Sequence, residues 1–261
     1  SGTEGEPEAV LFTQRNLGFV NSYNGYHRMK RNSRLLVFLP IHHVFSFTVL
    51  TVGIHDRNEI HLSESIKYVA QELQRVKPDA LTTVPMVNEL FRSRISKGIE
   101  DSGMGNKIYG LVRISNGLRR IGIDVRSSFF RKLRKSFGGV PQLFITGASA
   151  SSVETMEFFA DFGIVLLQGY GLTETVSAVT TNTLEKNRIG SVGQPLWYNQ
   201  VRIKDGEIQV RGENIMKEYY KNPTATKEIL SDDGWLRTGD MAEERDGFIY
   251  LVDRKKDVVI S

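Results

Sequence analysis

The chain has 261 residues, 40% of them hydrophobic and 25% charged, which is enough apolar content for one large or two smaller packed cores and excludes a disordered chain. The absence of cysteine excludes a disulfide framework, a thiolate metal site and a cysteine nucleophile. A net charge of +4 leaves open an anionic partner, whether nucleic acid, a membrane surface or a phosphorylated small molecule.

In chain order, Ser1-Gly2-Thr3-Glu4-Gly5-Glu6-Pro7-Glu8 has the glycines and hydroxyls of a loop that wraps polyphosphate with backbone N–H groups, and equally the composition of an ordinary turn. This polar, acidic opening does not read as a signal peptide, and the expected location is the cytoplasm. Leu35 to Leu39 reads as a central strand. The uncharged run Leu35 to Ile54 has the length of a bilayer span, yet Pro40, His42 and His43 near its middle favour a buried strand followed by a helix. Ile66, Val69, Leu73 and Val76 share one helical face, and Ala80 to Val84 forms the next strand. Between Arg113 and Lys135, Asp124 is the only acid among many bases, which reads as a solvated helical face. Nucleic-acid binding is the competing reading of that stretch, and it lacks a recognised motif and interleaved stacking aromatics.

Further strands are expected at Gln142 to Thr146 and Ile164 to Leu167, with Ser151 and Glu154 as a capping box opening the helix between them. Strands alternating with helices predict an α/β fold, a mostly parallel sheet with flanking helices, over residues 1–180. Beyond that, Asp205-Gly206 and Asp246-Gly247 each separate two short β-rich runs, predicting hairpins in a smaller β-rich, distorted barrel-like subdomain over 181–253.

Two further segments carry chemistry. Gln168-Gly169-Tyr170-Gly171-Leu172-Thr173-Glu174-Thr175 follows a strand, at the end of the sheet where open α/β folds bind ligands. There a tyrosine ring can stack on a base, Thr173 can bond a phosphate and Glu174 can hold a hard cation such as magnesium. Asp240, in Gly234-Trp235-Leu236-Arg237-Thr238-Gly239-Asp240, and Arg254 form a pair suited to two ribose hydroxyls; the alternative is a hairpin with surface charges. His43 reads either as lining a site or as a polar contact in a strand-to-helix turn, and the histidine spacing does not suit zinc.

Together these segments resemble the adenylate-forming superfamily of acyl-CoA synthetases, luciferases and peptide-synthetase adenylation domains. Leu39-Pro40-Ile41-His42-His43-Val44-Phe45 and Thr83-Val84-Pro85-Met86-Val87 resemble its long-chain fatty acyl-CoA synthetase branch. The resemblance implies that ATP and Mg2+ are used to activate a fatty acid as acyl-AMP, and that the acyl group then passes to coenzyme A as co-substrate. It implies that Ser1, Gly2, Thr3 and Gly5 hold phosphate, and that Gly147, Ala148, Gln168, Gly169, Tyr170 and Gly171 form the adenine side. Asp240 and Arg254 then contact ribose, His43 and Val84 line the substrate side, and Thr173, Glu174 and Lys256 are catalytic, with Glu174 on the metal and Lys256 at the hinge in residues 254–261. It further implies that the family's first third and its C-terminal lid lie outside this chain. Peripheral membrane contact and a homodimer are left open. The phosphate loop departs from the family at Glu4, at Glu8 in place of lysine, and at Gln14 in place of histidine. A degenerate, non-catalytic nucleotide- or acyl-binding module is therefore the alternative.

Overall fold

The computed structural model describes residues 8–22, 32–136 and 143–254. Its first half alternates strand and helix: β1 (Val10–Leu11), α1 (Gln14–Ser22), β2 (Arg34–Val37), α2 (Val44–His55), β3 (Glu59–Leu62), α3 (Val69–Val76), β4 (Ala80–Thr83) and α4 (Pro85–Asp101). Then follow α5 (Gly105–Arg120), α6 (Arg126–Phe129), α7 (Arg131–Ser136), β5 (Leu143–Thr146), α8 (Val153–Asp161), β6 (Val165–Leu172), β7 (Ser177–Thr181) and β8 (Gln194–Pro195).

All of these strands except β1 form a seven-stranded sheet of order β3-β2-β4-β5-β6-β7-β8. From β3 to β6 every pairing is parallel, and β7 and β8 close the edge antiparallel. Period-2 alternation decides which side each residue serves. Leu36, Leu81, Phe144 and Leu166 pack with α3, α4, α5 and α8 in the main core, while Leu35, Ala80 and Ile145 face the other way, against Phe45 of α2. Val84 is extended (φ −124°, ψ 158°) ahead of Pro85, which starts α4 where a proline removes no needed N–H. Leu35 to Ile54 resolves into β2 and the twelve-residue α2, and among the described residues no helix is long and apolar enough to cross a membrane.

The second half holds β9 (Asn199–Lys204), β10 (Glu207–Gly212), β11 (Glu218–Tyr219), α9 (Pro223–Ile229), β12 (Leu236–Arg245) and β13 (Phe248–Arg254). Four of them form an antiparallel sheet of order β13-β12-β10-β9, and β11 pairs with β1. Both Asp-Gly turns take positive φ at both residues, 53° and 77° at Asp205-Gly206 and 51° and 77° at Asp246-Gly247, the geometry that matches strand twist in two-residue hairpins. This sheet has its own core of Ile208, Val210, Leu236 and Ile249, which also takes in Tyr170 and Val179 from the large sheet.

Two expected local details differ. The cap of α8 is Ser152, whose hydroxyl accepts the N–H of Thr155, whereas the N–H of Ser151 donates to the Gln168 side chain. Glu154 pairs with Arg92 instead of closing a capping box. Strand β6 also runs on through Gln168 to Leu172, so most of the glycine-rich motif lies on the strand and not after it.

Candidate nucleotide site

The parallel strands bring several sequence-selected residues to one edge. In register, Thr83 lies beside Thr146 and Thr146 beside Gln168, so Val84, Gly147 and Gly169 are the next residues on three adjacent strands. Val84 is half-buried, and Gly147 is buried, where a Cβ would lie 3.4 Å from the Phe45 ring. Ala148 is exposed and holds φ 72°, a left-handed conformation unusual for a residue with a side chain. His43 is exposed at the N-terminus of α2, with its ring 4.4 Å from that of His42; its side chain makes no cap bond.

Glycine at position 171 is enforced by β7. A Cβ there would sit 1.6 Å from the carbonyl oxygen of Ser177, where the ladder shifts register between Tyr170 and Gly171. Residues 173–175 then form a single 3₁₀ turn, its Thr175 hydroxyl accepting the N–H of Leu172, and the chain reverses through Val176 and Ser177 at φ 47° and 88°. The turn is held from the second half of the chain. Asn214 donates to the carbonyl of Thr175 at 2.8 Å, and the N–H of Met216 to the carbonyl of Glu174 at 2.8 Å.

Four buried side chains in two hydrogen-bonded pairs define the centre. The Tyr170 hydroxyl donates to Oδ2 of Asp240 at 2.7 Å, joining β6 to β12 across the two sheets. Asp240 is placed by Gly239 at φ 74° and by Thr238, whose hydroxyl accepts the Asp240 N–H and donates to the Ile208 carbonyl. Arg254 lies opposite Asp240 in the β12–β13 ladder. Just beyond, the Tyr219 hydroxyl donates to Oε1 of Glu174 at 2.7 Å. Burial, and next the neighbouring Glu174 carboxylate with Glu8 further off, push the Tyr219 phenol well above its usual range, because each disfavours a phenolate. Half-buried Thr173 opens the 3₁₀ turn that carries Glu174.

Tyr170, Asp240, Arg254, Thr173 and Glu174 thus belong to one contiguous region, with Gly147, Ala148, Gln168 and Gly169 on the adjoining strand ends. Ser1, Gly2, Thr3, Gly5 and Lys256 lie outside the described residues, so their roles rest on the resemblance alone. Glu8 is half-buried and accepts a hydrogen bond from Asn222 at 2.9 Å. No cluster of three His, Cys, Asp or Glu side chains occurs among the described residues, so a cation here would draw on Glu174 together with oxygens of a ligand.

Sequence reasoning missed Tyr219 and Asn214, which act on residues 45 and 39 positions away. It also missed a buried amide relay behind the edge: Asn88 donates to Thr146 at 3.0 Å and to Ser151 at 3.4 Å, and Ser151 donates its N–H to Gln168 at 2.6 Å. A polar Asn within the apolar face of α4 was the one available signal.

A mostly parallel sheet with small residues at its strand ends and a tyrosine–carboxylate pair beside them makes this an α/β protein with a candidate ligand site at one sheet edge. The chain belongs to the AMP-binding enzyme family, which matches residues 1–220. It is 31% identical, over all of its length, to a long-chain-fatty-acid–CoA ligase of Mycobacterium bovis, of which it covers 46%. With long-chain-fatty-acid–CoA ligase 6 of Homo sapiens it shares 28% identity over 99% of its length and 41% of that protein. Its fold matches O-succinylbenzoate coenzyme A synthetase from Bacillus subtilis in complex with ATP and magnesium ion, with TM-score 0.73 and 24% identity over all of this chain and 50% of that one. The chain thus spans about half the length of the curated relatives it matches.

Proposed function

We propose that this chain is the nucleotide-binding part of an ATP-dependent long-chain fatty acid–CoA ligase. The observation that carries the reading is the Tyr170–Asp240 hydrogen bond, which brings the base-stacking motif of β6 against the ribose-type carboxylate of β12. In this reading residues 1–180 carry the phosphate loop and adenine motif, 181–253 the ribose acid, and 254–261 a hinge.

Reaction would proceed in two steps. A fatty-acid carboxylate oxygen attacks the α-phosphorus of ATP, the α–β phosphoanhydride bond breaks, and pyrophosphate leaves with the bond's electrons. The coenzyme A thiolate then attacks the acyl carbon, and AMP leaves. Asp240 accepts hydrogen bonds from the ribose hydroxyls, and the ring of Tyr170 borders the base. Thr173 donates to phosphate oxygens, which fixes the reacting phosphorus in line. Glu174 offers a buried hard-oxygen ligand of the kind magnesium takes, its carboxylate oriented by Tyr219, and the cation would offset charge developing on the phosphates. Lining by His43 and Val84 would set the acyl side.

Titration calorimetry of the chain with ATP and MgCl2 tests the site, and pyrophosphate exchange by the longer protein with a panel of fatty acids tests the reaction. Saturable ATP binding that Asp240→Ala abolishes is expected; binding unaffected by that change would remove the ribose assignment. A second reading, a nucleotide-binding module without catalysis, is favoured by Glu8, whose carboxylate adds negative charge near Tyr219 and Glu174. ATP binding without exchange on any acid would select it.

A further inference from the structure

Strand β12 leaves its ladder where Asp240 sits. Against β10 it pairs Met241 with Glu207 and Arg237 with Gln209, so Thr238, Gly239 and Asp240 together stand opposite Ile208 alone. Regular pairing resumes on both sides, at Leu236 with Val210 and at the Ala242 N–H on the Gly206 carbonyl. An insertion of this kind re-aims side chains out of the pleat and takes away the backbone partners that a continuous ladder supplies. Other groups must then satisfy the bulge, because buried N–H and C=O groups left unpaired are destabilising.

Side chains take over that task. The Thr238 hydroxyl donates to the Ile208 carbonyl at 2.8 Å and accepts the Asp240 N–H at 3.2 Å. The Gly239 N–H donates to Oε1 of Glu207 at 2.9 Å, and Nε of Arg237 lies 3.6 Å from Oε2 of the same carboxylate. Arg237 and Gly239 flank Thr238, so Glu207 grips the bulge at both ends. Glu207 is 4% exposed, and a buried charge of this kind is weak as a source of stability, since an apolar side chain of similar volume often serves a fold as well. Position is what it supplies. Gly239 stands at φ 74°, and a Cβ there would meet nothing within 4 Å, so packing does not confine it. A glycine without such confinement ranges over both signs of φ unless a hydrogen bond holds it.

We propose that Glu207 is a positioning residue of the nucleotide site, which fixes Gly239 and through it the carboxylate of Asp240 that receives the ribose hydroxyls. The inference rests on the ribose reading of Asp240 given above. The Tyr170 hydroxyl holds the Asp240 side chain at 2.7 Å from β6, and Glu207 holds the backbone beside it from β10. With both anchors the carboxylate has one place; with the first alone it pivots on a glycine, and small displacements of a binding group are enough to lose oriented hydrogen bonds.

Calorimetry of the native chain, Glu207→Met and Glu207→Gln with MgCl2 and either ATP or its 2′,3′-dideoxy analogue tests it. The native chain should favour ATP by about tenfold or more, because the analogue lacks the hydroxyls that bond to a charged acceptor. Methionine keeps the length of Glu207 and removes the acceptor, so the preference should fall to about twofold or less while the analogue binds as before. Glutamine, whose amide oxygen can still accept the Gly239 N–H, should restore most of the preference. A merely structural role would weaken both nucleotides alike. Hydrogen exchange at the Gly239 amide, followed by NMR in the native and glutamine chains, reads the same bond without nucleotide and without the methionine variant; slow exchange in both is expected. Equal weakening of both nucleotides by Glu207→Met, an undiminished preference for ATP in that variant, or a native Gly239 amide that exchanges like an open loop would each overturn this proposal and leave the role of Asp240 standing. A native chain that binds ATP and the analogue equally would remove the ribose assignment itself, and this proposal with it.

Discussion

Replacing Tyr219 by phenylalanine isolates a single buried interaction at the site. The hydroxyl donates to Oε1 of Glu174 at 2.7 Å in a buried setting, and hydrogen bonds to charged groups contribute about 1.5–3 kcal/mol. Tyr219→Phe removes one oxygen, leaves no cavity a side chain could fill, and strips a buried carboxylate of a donor. An unfolding free energy lower by about 2 kcal/mol at pH 8 is expected. The pH dependence gives an independent check. The folded phenol is held above its ordinary value of 10.0, so the stability it contributes is fully present below that pH and is lost as pH rises toward the higher folded value. Above pH 10 the unfolded chain ionises first, and the advantage of tyrosine over phenylalanine should decline by about 1.4 kcal/mol per pH unit, vanishing after roughly one and a half units. Urea titrations of both proteins from pH 7 to 11.5 read the difference directly, because all other titrations cancel. A difference under about 0.5 kcal/mol at pH 8, or one that stays flat to pH 11.5, would refute the role given to this bond.

The other expectations concern backbone space, charge and acid stability. Gly171→Ala should cost more than about 3 kcal/mol in urea unfolding, since its methyl cannot coexist with the Ser177 carbonyl 1.6 Å away, whereas Gly117→Ala on the open face of α5 should stabilise by about 0.5–1 kcal/mol. Glu8→Lys should strengthen ATP–magnesium binding measured by calorimetry, with the gain shrinking as salt is added, because it replaces a carboxylate near Tyr219 and Glu174 by a cation. Hydrogen bonds from Arg126, and next its backbone N–H and charge, pull the Asp124 carboxyl down to about 2 from 3.8, so its contribution is present above pH 3.8 and lost toward pH 2. Asp124→Asn should accordingly flatten the acid limb of the stability profile in that window, read by circular dichroism.

Regular elements were legible in the sequence where local chemistry dictates them. Leu35, Ala80 and Phe144 lie in short apolar runs of the kind that only a sheet covered on both faces can bury, and each became a parallel strand. Asp205-Gly206 and Asp246-Gly247 were legible because few residue pairs tolerate two successive positive φ values. From sequence, Gln168 to Leu172 follows the strand and does not extend it, because its glycines carry no strand preference; the strand runs on because glycine alone lets β7 approach, and β7 is a partner that local sequence does not announce. At Ser151-Ser152 either hydroxyl fits a cap, and the choice is made from a distance by Gln168, which takes the Ser151 N–H. The motif residues Tyr170, Glu174 and Asp240 were visible, but the bonds that orient them were not. Tyr219 and Asn214 stand in an unremarked stretch, and only the folding of the second half against the first gives them a role.

The side-by-side ends of β4, β5 and β6 carry a consequence for how such a site can change. Val84, Gly147 and Gly169 occupy neighbouring positions in space, at a strand spacing of about 4.8 Å, yet they come from segments separated by 63 and 22 residues of chain. The sheet therefore works as a ruler whose graduations are set independently. A larger side chain at one of them would press first on its own neighbour, the Phe45 ring at Gly147 or the Thr180 carbonyl at Gly169, while the other two hold their places. Variation in what the site accepts can accumulate one position at a time, without any move having to carry the whole edge with it.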